Sequence, residues 1–464
     1  MSDFSALNTA ITGLYAHRQR IDTIGENIAN IETPGYHRQR VDLQAIGTRY
    51  PGLFSGPGGQ HGGVTADVQR VWDQLLDTSS KQNLARSNSL NTQADILTGV
   101  ESEIGSLATN GLGNRLTALW NSFDDLANDP TEQSIRNVVL GNAEGVTSIM
   151  QAQSSALNQM RSNEVQRLEL GVARVNELAN RVAEMDATIV NGTAAGRPPH
   201  GLMDQRSQLL SELSGLTGAT INYDGSGSSI VAIGGHVLIS QAQVRPIELR
   251  SITDPALAPL GFNRIAITGA TGREIALTGG SLHGGLSGVN TLVPDQRRAL
   301  DSLAASIVTT VNNIHQTGAG LDGTSGRSFF DPAGVTAATI ALSADVVGQP
   351  GNVAASDGSA TLDNSVARAL ASLGTDPSGP SATHATMLAD LGAQLSTMQG
   401  RADAASISYQ QTEGNRQAAE GVNLDEELAD LVSAQRAYEA SARMVSAIDE
   451  MLDTLINRTG LVGR

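Results

Sequence analysis

Histidines and carboxylates are the residues that could do chemistry in this chain, and their spacing forms no catalytic pattern. Acidic pairs such as Asp124 and Asp125 are adjacent on one predicted helix, whereas acid–base catalysis draws its carboxylates from elements facing each other across a cleft. No histidine has the His-x-x-x-His or His-x-Glu spacing of a metal site. The eight are His17, His37, His61, His200, His236, His283, His315 and His384. We expect them to be structural.

Nucleotide and nucleophile motifs are also missing from the sequence. The run Gly225–Ile230 begins like a dinucleotide-binding loop, but it lacks the third glycine and precedes a strand instead of following one. The only lysine, Lys81, stands in no phosphate-binding Gly-Lys-Ser/Thr motif, and there is no Gly-x-Ser-x-Gly elbow. We therefore predict no catalytic site, no cofactor and no metal. An enzyme of unrecognised type stays open as an alternative.

Composition excludes several other classes of function. The chain has 464 residues, 40% of them hydrophobic but only 3% aromatic, and a formal net charge of −17. Such an acidic chain does not favour nucleic acid, which needs clustered cations. No apolar run approaches the roughly 18–20 residues that span a bilayer, and the first residues lack the apolar stretch of a cleaved signal peptide. The absence of cysteine fits either a cytosolic protein or one exported unfolded.

Amphipathic helices are predicted at both ends of the chain, over Ser5–Asn30 and Val422–Gly460. Apolar residues recur every three or four positions in each. They are Leu7, Ile11, Leu14, Ile21 and Ile28 in the first helix, and Leu424, Leu428, Leu431, Tyr438, Val445, Leu452 and Leu455 in the last. We expect the two helices to pair with each other. The alternative is that each packs into the core of its local domain.

The ends of these helices carry recognisable signals. Asn423 and Glu426 have the spacing of a capping box, in which each side chain bonds the other's backbone. Pro34 and Gly35 fit the two central positions of a type II turn, which would end the first helix. Turn-rich sequence from Val41 to Val71, with alternation at Val64, Ala66 and Val68, predicts a connector with short extended segments.

The middle of the chain alternates between helical and extended patterns. Helices are predicted from about Ser80 to Leu213 and from Pro294 to His315, and strands from Thr220 to Leu282. Two hairpins are predicted there: Ile230–Ile233 with His236–Ile239 across Gly234-Gly235, and Ile265–Ile267 with Ile275–Leu277. The stretch Gly318–Ser359 is rich in small residues and loose in pattern.

The predicted fold class is mainly α with an inserted small β domain. The order of elements indicates an elongated multidomain rod in which the N- and C-terminal helices pair in a coiled-coil-like layer. We expect an inner domain from residues 1–80 and 421–464, a long-helix bundle from 81–219 and 283–420, and an outer β domain from 220–282.

Motifs at both ends resemble the family of bacterial flagellar rod, hook and hook-associated proteins. After the first helix these are Ala29, Asn30, Thr33, Pro34, Gly35 and Tyr36, and near the C-terminus they are 421–427, 435–443 and 449–455. Three internal motifs are similar to the hook-associated junction members of the family. They are Asp204-Gln205-Arg206 followed by Leu209, Leu210 and Leu213; Gly284–Gly288; and Val311–Gly318 leading to Gly326–Phe330.

The resemblance implies a structural subunit that polymerises at the hook–filament junction. Its implied partners are copies of itself in a ring, the hook protein, the next hook-associated junction protein and the flagellar export apparatus, with no nucleic acid and no membrane insertion. It implies that the terminal helices line a central channel and that the protein is extracellular, exported without a cleaved signal peptide. The alternatives are a hook or rod subunit, or a secreted enzyme carrying flagellar-like termini.

Three further expectations concern the terminal helices. Their apolar stripes are wider than one partner helix can cover, and leftover apolar surface marks an interaction site. The terminal apolar residues and the six residues from Ala29 to Tyr36 named above are therefore the predicted assembly surface. We expect both termini to be largely disordered or fraying in the isolated monomer and to order on assembly. We also expect an export chaperone to hold the C-terminal helix before secretion.

Overall fold

A computed structural model describes residues 2–45, 63–105, 111–359 and 363–454. The helices are α1 (Ser2–Ala29), α2 (Gln74–Ile104), α3 (Leu112–Asn128), α4 (Gln133–Ala194), α5 (His200–Thr217), α6 (Ser281–Ser287), α7 (Val293–His315), α8 (Ser365–Ser372), α9 (Pro380–Glu420) and α10 (Leu424–Asp453). The strands are β1 (Gln39–Ala45), β2 (Val64–Arg70), β3 (Thr220–Tyr223), β4 (Ser229–Ile233), β5 (His236–Ser240), β6 (Gln243–Val244), β7 (Ile247–Ile252) and β8 (Arg264–Gly269). The predicted fold class, mainly α with a small inserted β region, is confirmed.

The first and last helices pack against each other, as the matched apolar stripes predict. Helix α10 begins at Leu424, and its predicted end at Gly460 lies outside the described residues. Strands β1 and β2 form an antiparallel hairpin, with Gln39 opposite Arg70, and this hairpin packs on α1. The alternation that predicted extended backbone from Val64 to Val68 therefore belongs to β2.

Helix α4 runs through both hydrophobic cores of the described chain. It has 62 residues, which at 1.5 Å per residue makes it about 93 Å long. Its first half, including Val139 and Met150, packs with α2, α3 and α7, and α8 and the start of α9 complete the same core. Its second half, including Val175 and Ile189, packs with α5 and the strands. One continuous helix therefore connects the helical bundle to the β region.

The strands form a four-stranded antiparallel sheet in the order β3-β4-β5-β6 and a separate β7-β8 pair. The predicted hairpin across Gly234 and Gly235 is confirmed as β4–β5, and both glycines have positive φ, at 51° and 82°, as a type I′ turn requires. The second predicted hairpin is present only near its turn, where the Gly269 amide donates to the Arg273 carbonyl at 3.0 Å, the Ile275 amide donates to the Ile267 carbonyl at 2.8 Å, and Thr268 bridges Glu274. On its other edge β8 pairs along its whole length with β7, which the sequence did not predict.

The small-residue stretch after α7 is irregular but well packed. It contains only a short 3-10 turn, Pro350–Asn352, among the described residues, yet Ile340, Val346 and Val353 are fully buried in the bundle core. The expectation of a loose segment is therefore wrong for these side chains. The segment lacks a regular pattern because it fills gaps between helices instead of presenting one face to them.

The predicted domain boundaries stay a prediction. Helix α2 begins at Gln74, so it crosses the boundary expected between residues 80 and 81. No helix in the described ranges has the length and apolar character needed to cross a membrane.

Candidate assembly surface and the polar joint beneath it

The terminal-helix pair, α1 and α10, buries few of the apolar side chains that the structure describes. The buried ones are Ala10, Ala16 and Ile24 in α1, and Ala434 and Ile448 in α10. The helices approach closely at Gly13, where an added Cβ would lie 3.6 Å from the Ser441 hydroxyl oxygen. Small residues at the contact let the backbones come together, but they remove little apolar area from water.

Of the predicted apolar assembly residues that the structure describes, none is fully buried. Those of intermediate exposure are Leu7, Ile11, Leu14, Ile21, Ile28, Leu431, Tyr438, Val445 and Leu452. Leu424 and Leu428 are 44% and 46% exposed, and Leu455 lies outside the described residues. Val432 and Met451, which the stripe did not include, are 47% and 55% exposed. The pairing of α1 with α10 therefore leaves each of these apolar side chains partly in contact with water.

The predicted type II turn, Thr33–Tyr36, is separated from the end of α1 by three residues. The amide of Tyr36 donates to the Thr33 carbonyl over 3.1 Å, and Gly35 between them has a φ of 76°, close to the value at the third position of a type II turn. An added Cβ at Gly35 would also collide with the Gln208 side chain on α5. Ala29, Thr33 and Pro34 are exposed and Asn30 is half-buried.

Asn27, which the sequence reasoning missed, is where α1, the turn and α10 meet. Its side-chain oxygen accepts from the Tyr36 hydroxyl and from the Gln39 amide, both at 2.9 Å. Its amide nitrogen donates to the Gln39 carbonyl at 2.8 Å and to the Glu427 carboxylate at 3.0 Å. Burial, followed by nearby carboxylates, raises the pKa of Tyr36 to about 12, so its hydroxyl stays a donor. The available signal was a polar residue on the apolar side of a helix, beside Ile24 and Ile28.

The acidic first turn of α10 pairs with arginines. Arg38 contacts Glu426 and Glu427 at 2.8 and 2.7 Å, and Arg20 contacts Asp430 at 3.0 Å. Asn423 caps the helix by accepting from the Asp425 amide, as predicted. The other half of the predicted capping box, a bond from the Glu426 side chain to the Asn423 backbone, is wrong, because the Glu426 carboxylate binds Arg38.

A second cluster, here called the polar joint, consists of His37, Arg70, Asp204, Arg416 and Glu420. The ring of His37 is 2% exposed, with Nδ1 2.8 Å from an Asp204 oxygen and Nε2 3.2 Å from a Glu420 oxygen. Arg70 binds Asp204 at 2.6 Å, and Arg416 binds Glu420 at 2.9 Å. The joint therefore connects the hairpin β1–β2 to α5 and to the last turn of α9.

Beside the polar joint lies a cleft of about 240 Å³ whose lining includes His37, Lys81, Gln208 and Arg416. Lys81 is 4% exposed, and its ammonium nitrogen lies 2.5 Å from both oxygens of Asp77. Burial lowers the pKa of Lys81, and the Asp77 carboxylate opposes that shift.

The motif at the end of α7 serves the bundle core. The Asn312 side-chain oxygen accepts from the amides of Phe329 and Phe330, each at 2.9 Å. His315 is fully buried, its Nδ1 lies 2.8 Å from the Arg327 carbonyl, and its Nε2 accepts from the Ala354 amide at 2.8 Å. These bonds fit a neutral ring, and burial lowers the pKa of His315 to about 4. Within the described residues, no three histidine or acidic side chains are arranged to hold a metal ion.

Three family models match separate parts of the chain. The model described as the flagellar hook-associated protein FlgK helical domain matches residues 97–330. The model of the flagellar basal body rod FlgEFG protein C-terminal region matches residues 416–458, and that of the flagella basal body rod protein matches residues 7–37. The end motifs thus belong to the wider rod and hook group, and the middle of the chain to FlgK.

Individual relatives agree with these models. The flagellar hook-associated protein 1 of Bacillus subtilis is 29% identical over an alignment that covers all of both chains. The protein of the same name from Salmonella typhimurium is 26% identical over 70% of this chain, and the alignment spans 59% of that protein. A solved structure of the flagellar hook junction protein FlgK from Burkholderia pseudomallei aligns with a TM-score of 0.47 at 23% identity, covering 56% of this chain and 46% of that one.

The match to the FlgK helical domain spans half of the chain and includes most of the bundle and all the strands from β3 to β8. The rod-protein matches at residues 7–37 and 416–458 add most of the two terminal helices, and residues 38–96 and 331–415 lie outside the three matches. The chain therefore belongs to the FlgK family of flagellar hook-associated proteins.

Proposed function

We propose that this chain is a structural subunit of the bacterial flagellum that polymerises at the hook–filament junction and couples the hook to the filament. The observation that carries the proposal is the half-exposed apolar face of the terminal-helix pair, in a member of the FlgK family. A monomer gains nothing from a long exposed apolar face, whereas a polymer buries it between subunits.

The proposed arrangement places residues 1–80 and 421–464 in an inner layer that lines a central channel. Residues 81–219 and 283–420 form the bundle around it, and residues 220–282 form the outer β domain. The partners are neighbouring copies of the same chain in a ring, the hook protein on one side and the next hook-associated junction protein on the other. The rod-protein matches at both termini support a shared mode of packing along the flagellar axis.

Charge placed on the apolar face tests the proposal. Leu428→Asp and Val432→Asp alter side chains that are 46% and 47% exposed, so the monomer should fold. The matched control is Leu170→Asp on α4, where the leucine is 73% exposed. In a strain lacking the wild-type gene, we expect the α10 variants to lose motility and the control to retain it. Loss of motility with the control variant alone, or with none of the three variants, would contradict the proposal.

Immunogold electron microscopy of isolated flagella separates the junction from the runner-up, a hook or rod subunit. We expect one discrete band of label where hook meets filament. Label along the whole hook, or confined to the basal rod, would favour the alternative.

We also infer that the chain leaves the cell unfolded through the flagellar export apparatus, without a cleaved signal peptide, and becomes extracellular. The absence of cysteine supports this, because no adventitious disulfide can form on the way. An export chaperone is proposed to cover the α10 stripe beforehand. Removal of residues 424–461 should abolish co-purification with the chaperone in an export-blocked strain. Retained binding would assign the chaperone site to another part of the chain.

A further inference from the structure

The polar joint is centred on a histidine that bridges two helices distant in sequence. His37 immediately follows Tyr36 of the type II turn and is followed by β1. Its Nδ1 faces Asp204 on α5 at 2.8 Å, and its Nε2 faces Glu420, the last residue of α9, at 3.2 Å. All three side chains are less than a tenth exposed. The ring thus joins the terminal layer to two elements of the bundle.

A neutral imidazole cannot satisfy both contacts. It has one N–H donor, and its other nitrogen presents a lone pair. One carboxylate oxygen would then face that lone pair at 2.8 or 3.2 Å, which brings two acceptors together inside a buried site even though each carboxylate also binds an arginine. The imidazolium donates from both nitrogens and fits the observed geometry.

The charges around the ring lead to the same conclusion. Arg70 at the end of β2 and Arg416 on α9 lie near the two ring nitrogens, at 3.0 and 3.3 Å, and both bind the carboxylates that the ring faces. Arg416 also binds Glu413 at 2.6 Å. On α2, Asp77 and Lys81 neutralise each other beside the same cleft, and Tyr409 of α9 completes the titratable groups lining it. Arg70 and Arg416 carry two positive charges, and Asp204, Glu413 and Glu420 carry three negative charges. The remaining negative charge is balanced by protonated His37.

We propose that His37 is a pH-dependent latch, which as an imidazolium fastens the β1–β2 hairpin and the terminal-helix pair to α5 and α9. The hairpin is tied to the α9–α10 corner, since the Arg38 amide donates to the Glu420 carbonyl at 2.9 Å and the Asp73 amide donates to the Glu420 carboxylate at 2.7 Å. Loss of the proton therefore loosens the corner from which α10 starts. The latch is a property of a single chain and stands independently of the proposed function.

The direction of titration follows from the environment of the ring. Burial lowers the pKa of His37, but the hydrogen bonds to Asp204 and Glu420 outweigh burial and raise it above the ordinary value of 6.5. A histidine whose folded pKa is raised contributes stability that is complete below 6.5 and is lost as pH rises through the folded value. The latch is closed in acid and opens on the alkaline side of pH 6.5.

Trp72 provides a reporter for the latch without a mutation in the joint. The chain has two tryptophans, and the Trp72 ring lies edge-on to Tyr223 at 5.4 Å with the Arg70 guanidinium 6.0 Å from its centroid. The other, Trp120, is 3% exposed in the bundle core and serves as the internal control. With 5-fluorotryptophan incorporated, each gives a ¹⁹F resonance, and Trp72→Phe assigns them.

We expect the Trp72 resonance to titrate once on the alkaline side of pH 6.5, with its broadening by a dissolved neutral nitroxide increasing over the same interval, while Trp120 stays constant. His37→Gln should abolish both changes. The matched control is His200→Gln, since His200 contacts the same hairpin only through the Val68 carbonyl at 3.0 Å; it should preserve them.

Three results would overturn the latch. They are no titration in the wild type, the same titration in His37→Gln, and a shift of the resonance without any change in nitroxide broadening. If circular dichroism shows that His37→Gln is unfolded, Asp204→Asn and Glu420→Gln replace it. Each removes one anionic acceptor and should lower the titration midpoint, and an unchanged midpoint in both would equally overturn the proposal.

Discussion

The terminal-helix pair and the bundle core use similar sequence patterns with opposite results. In the core, Leu119, Phe123 and Val139 are fully buried. In the terminal pair, Leu428 has the same helical spacing and is 46% exposed. Amphipathic periodicity therefore fixes which face of a helix is apolar, but it does not decide whether one chain suffices to bury that face.

The two regions also differ in what holds them together. The core is a cluster of aliphatic and aromatic side chains that includes Phe329, whose ring contacts those of Phe123 and Phe330. The terminal pair is attached through ion pairs and amide hydrogen bonds around Asn27 and Arg38. Polar contacts of this kind fix geometry but add little net free energy. The inner layer is thus oriented by its own chain and, we propose, stabilised by its neighbours.

Hydrogen exchange of the dilute monomer should show the largest difference between the regions. We expect amides within Ile11–Ile28 and Leu428–Asp453 to exchange through local opening that costs little, and amides within Leu140–Leu157 of α4 to exchange only near global unfolding. Assembly should raise the protection of the terminal segments. Strong protection of both terminal segments before assembly would contradict the comparison.

Matched leucine truncations should show the next largest difference. Leu119→Ala removes a side chain that is 0% exposed and should lower the free energy of unfolding by about 2–5 kcal/mol, because it leaves a cavity. Leu428→Ala should change it by no more than about 0.5 kcal/mol in the monomer. Urea unfolding of both variants measures this, and similar losses would show that α10 belongs to the cooperative core.

The pH dependence of stability should separate the regions by sign. The pKa of His315 falls from 6.5 to about 4 in the folded core, so its contribution is complete above pH 6.5 and is lost as pH falls toward 4. Over that interval the loss amounts to about 3 kcal/mol. His315→Gln should flatten the acid limb of a stability–pH curve, whereas His37→Gln should change the alkaline side. If the acid limb of the stability–pH curve is unchanged in His315→Gln, the two regions do not differ in the sign of their pH dependence.

Local patterns predicted the elements whose partners are local or are equally patterned. The 3–4 spacing of Ile11 and Leu431 predicted that α1 and α10 pair, and Gly234-Gly235 predicted the β4–β5 turn. The prediction at β8 was incomplete for a physical reason. A strand has two edges, and local pattern predicted only the neighbour across the next turn, whereas β8 also pairs along its whole length with β7, which packs against α4.

The polar joint could not be predicted by the same means. His37 and Asp204 are 167 residues apart, and nothing in the sequence near either residue indicates the other. The prediction for Gly318–Ser359 failed for a related reason. Ile340 and Val346 are buried, but the backbone that carries them is irregular, so their spacing follows no helical or strand period. Sequence reasoning predicted an assembly face on the terminal helices, which stays a prediction, and it predicted none of the contacts that orient those helices.

The burial of Lys81 limits the reaction of this chain with reagents that target amines. It is the only lysine in the sequence, and its ε-amino group is enclosed with Asp77 next to the polar joint. Acylating dyes and lysine cross-linkers will therefore find no accessible side-chain amine on the folded subunit. An adduct at Lys81 instead requires a local opening that separates its amine from Asp77, so the labelled fraction read by mass spectrometry reports how often that opening occurs.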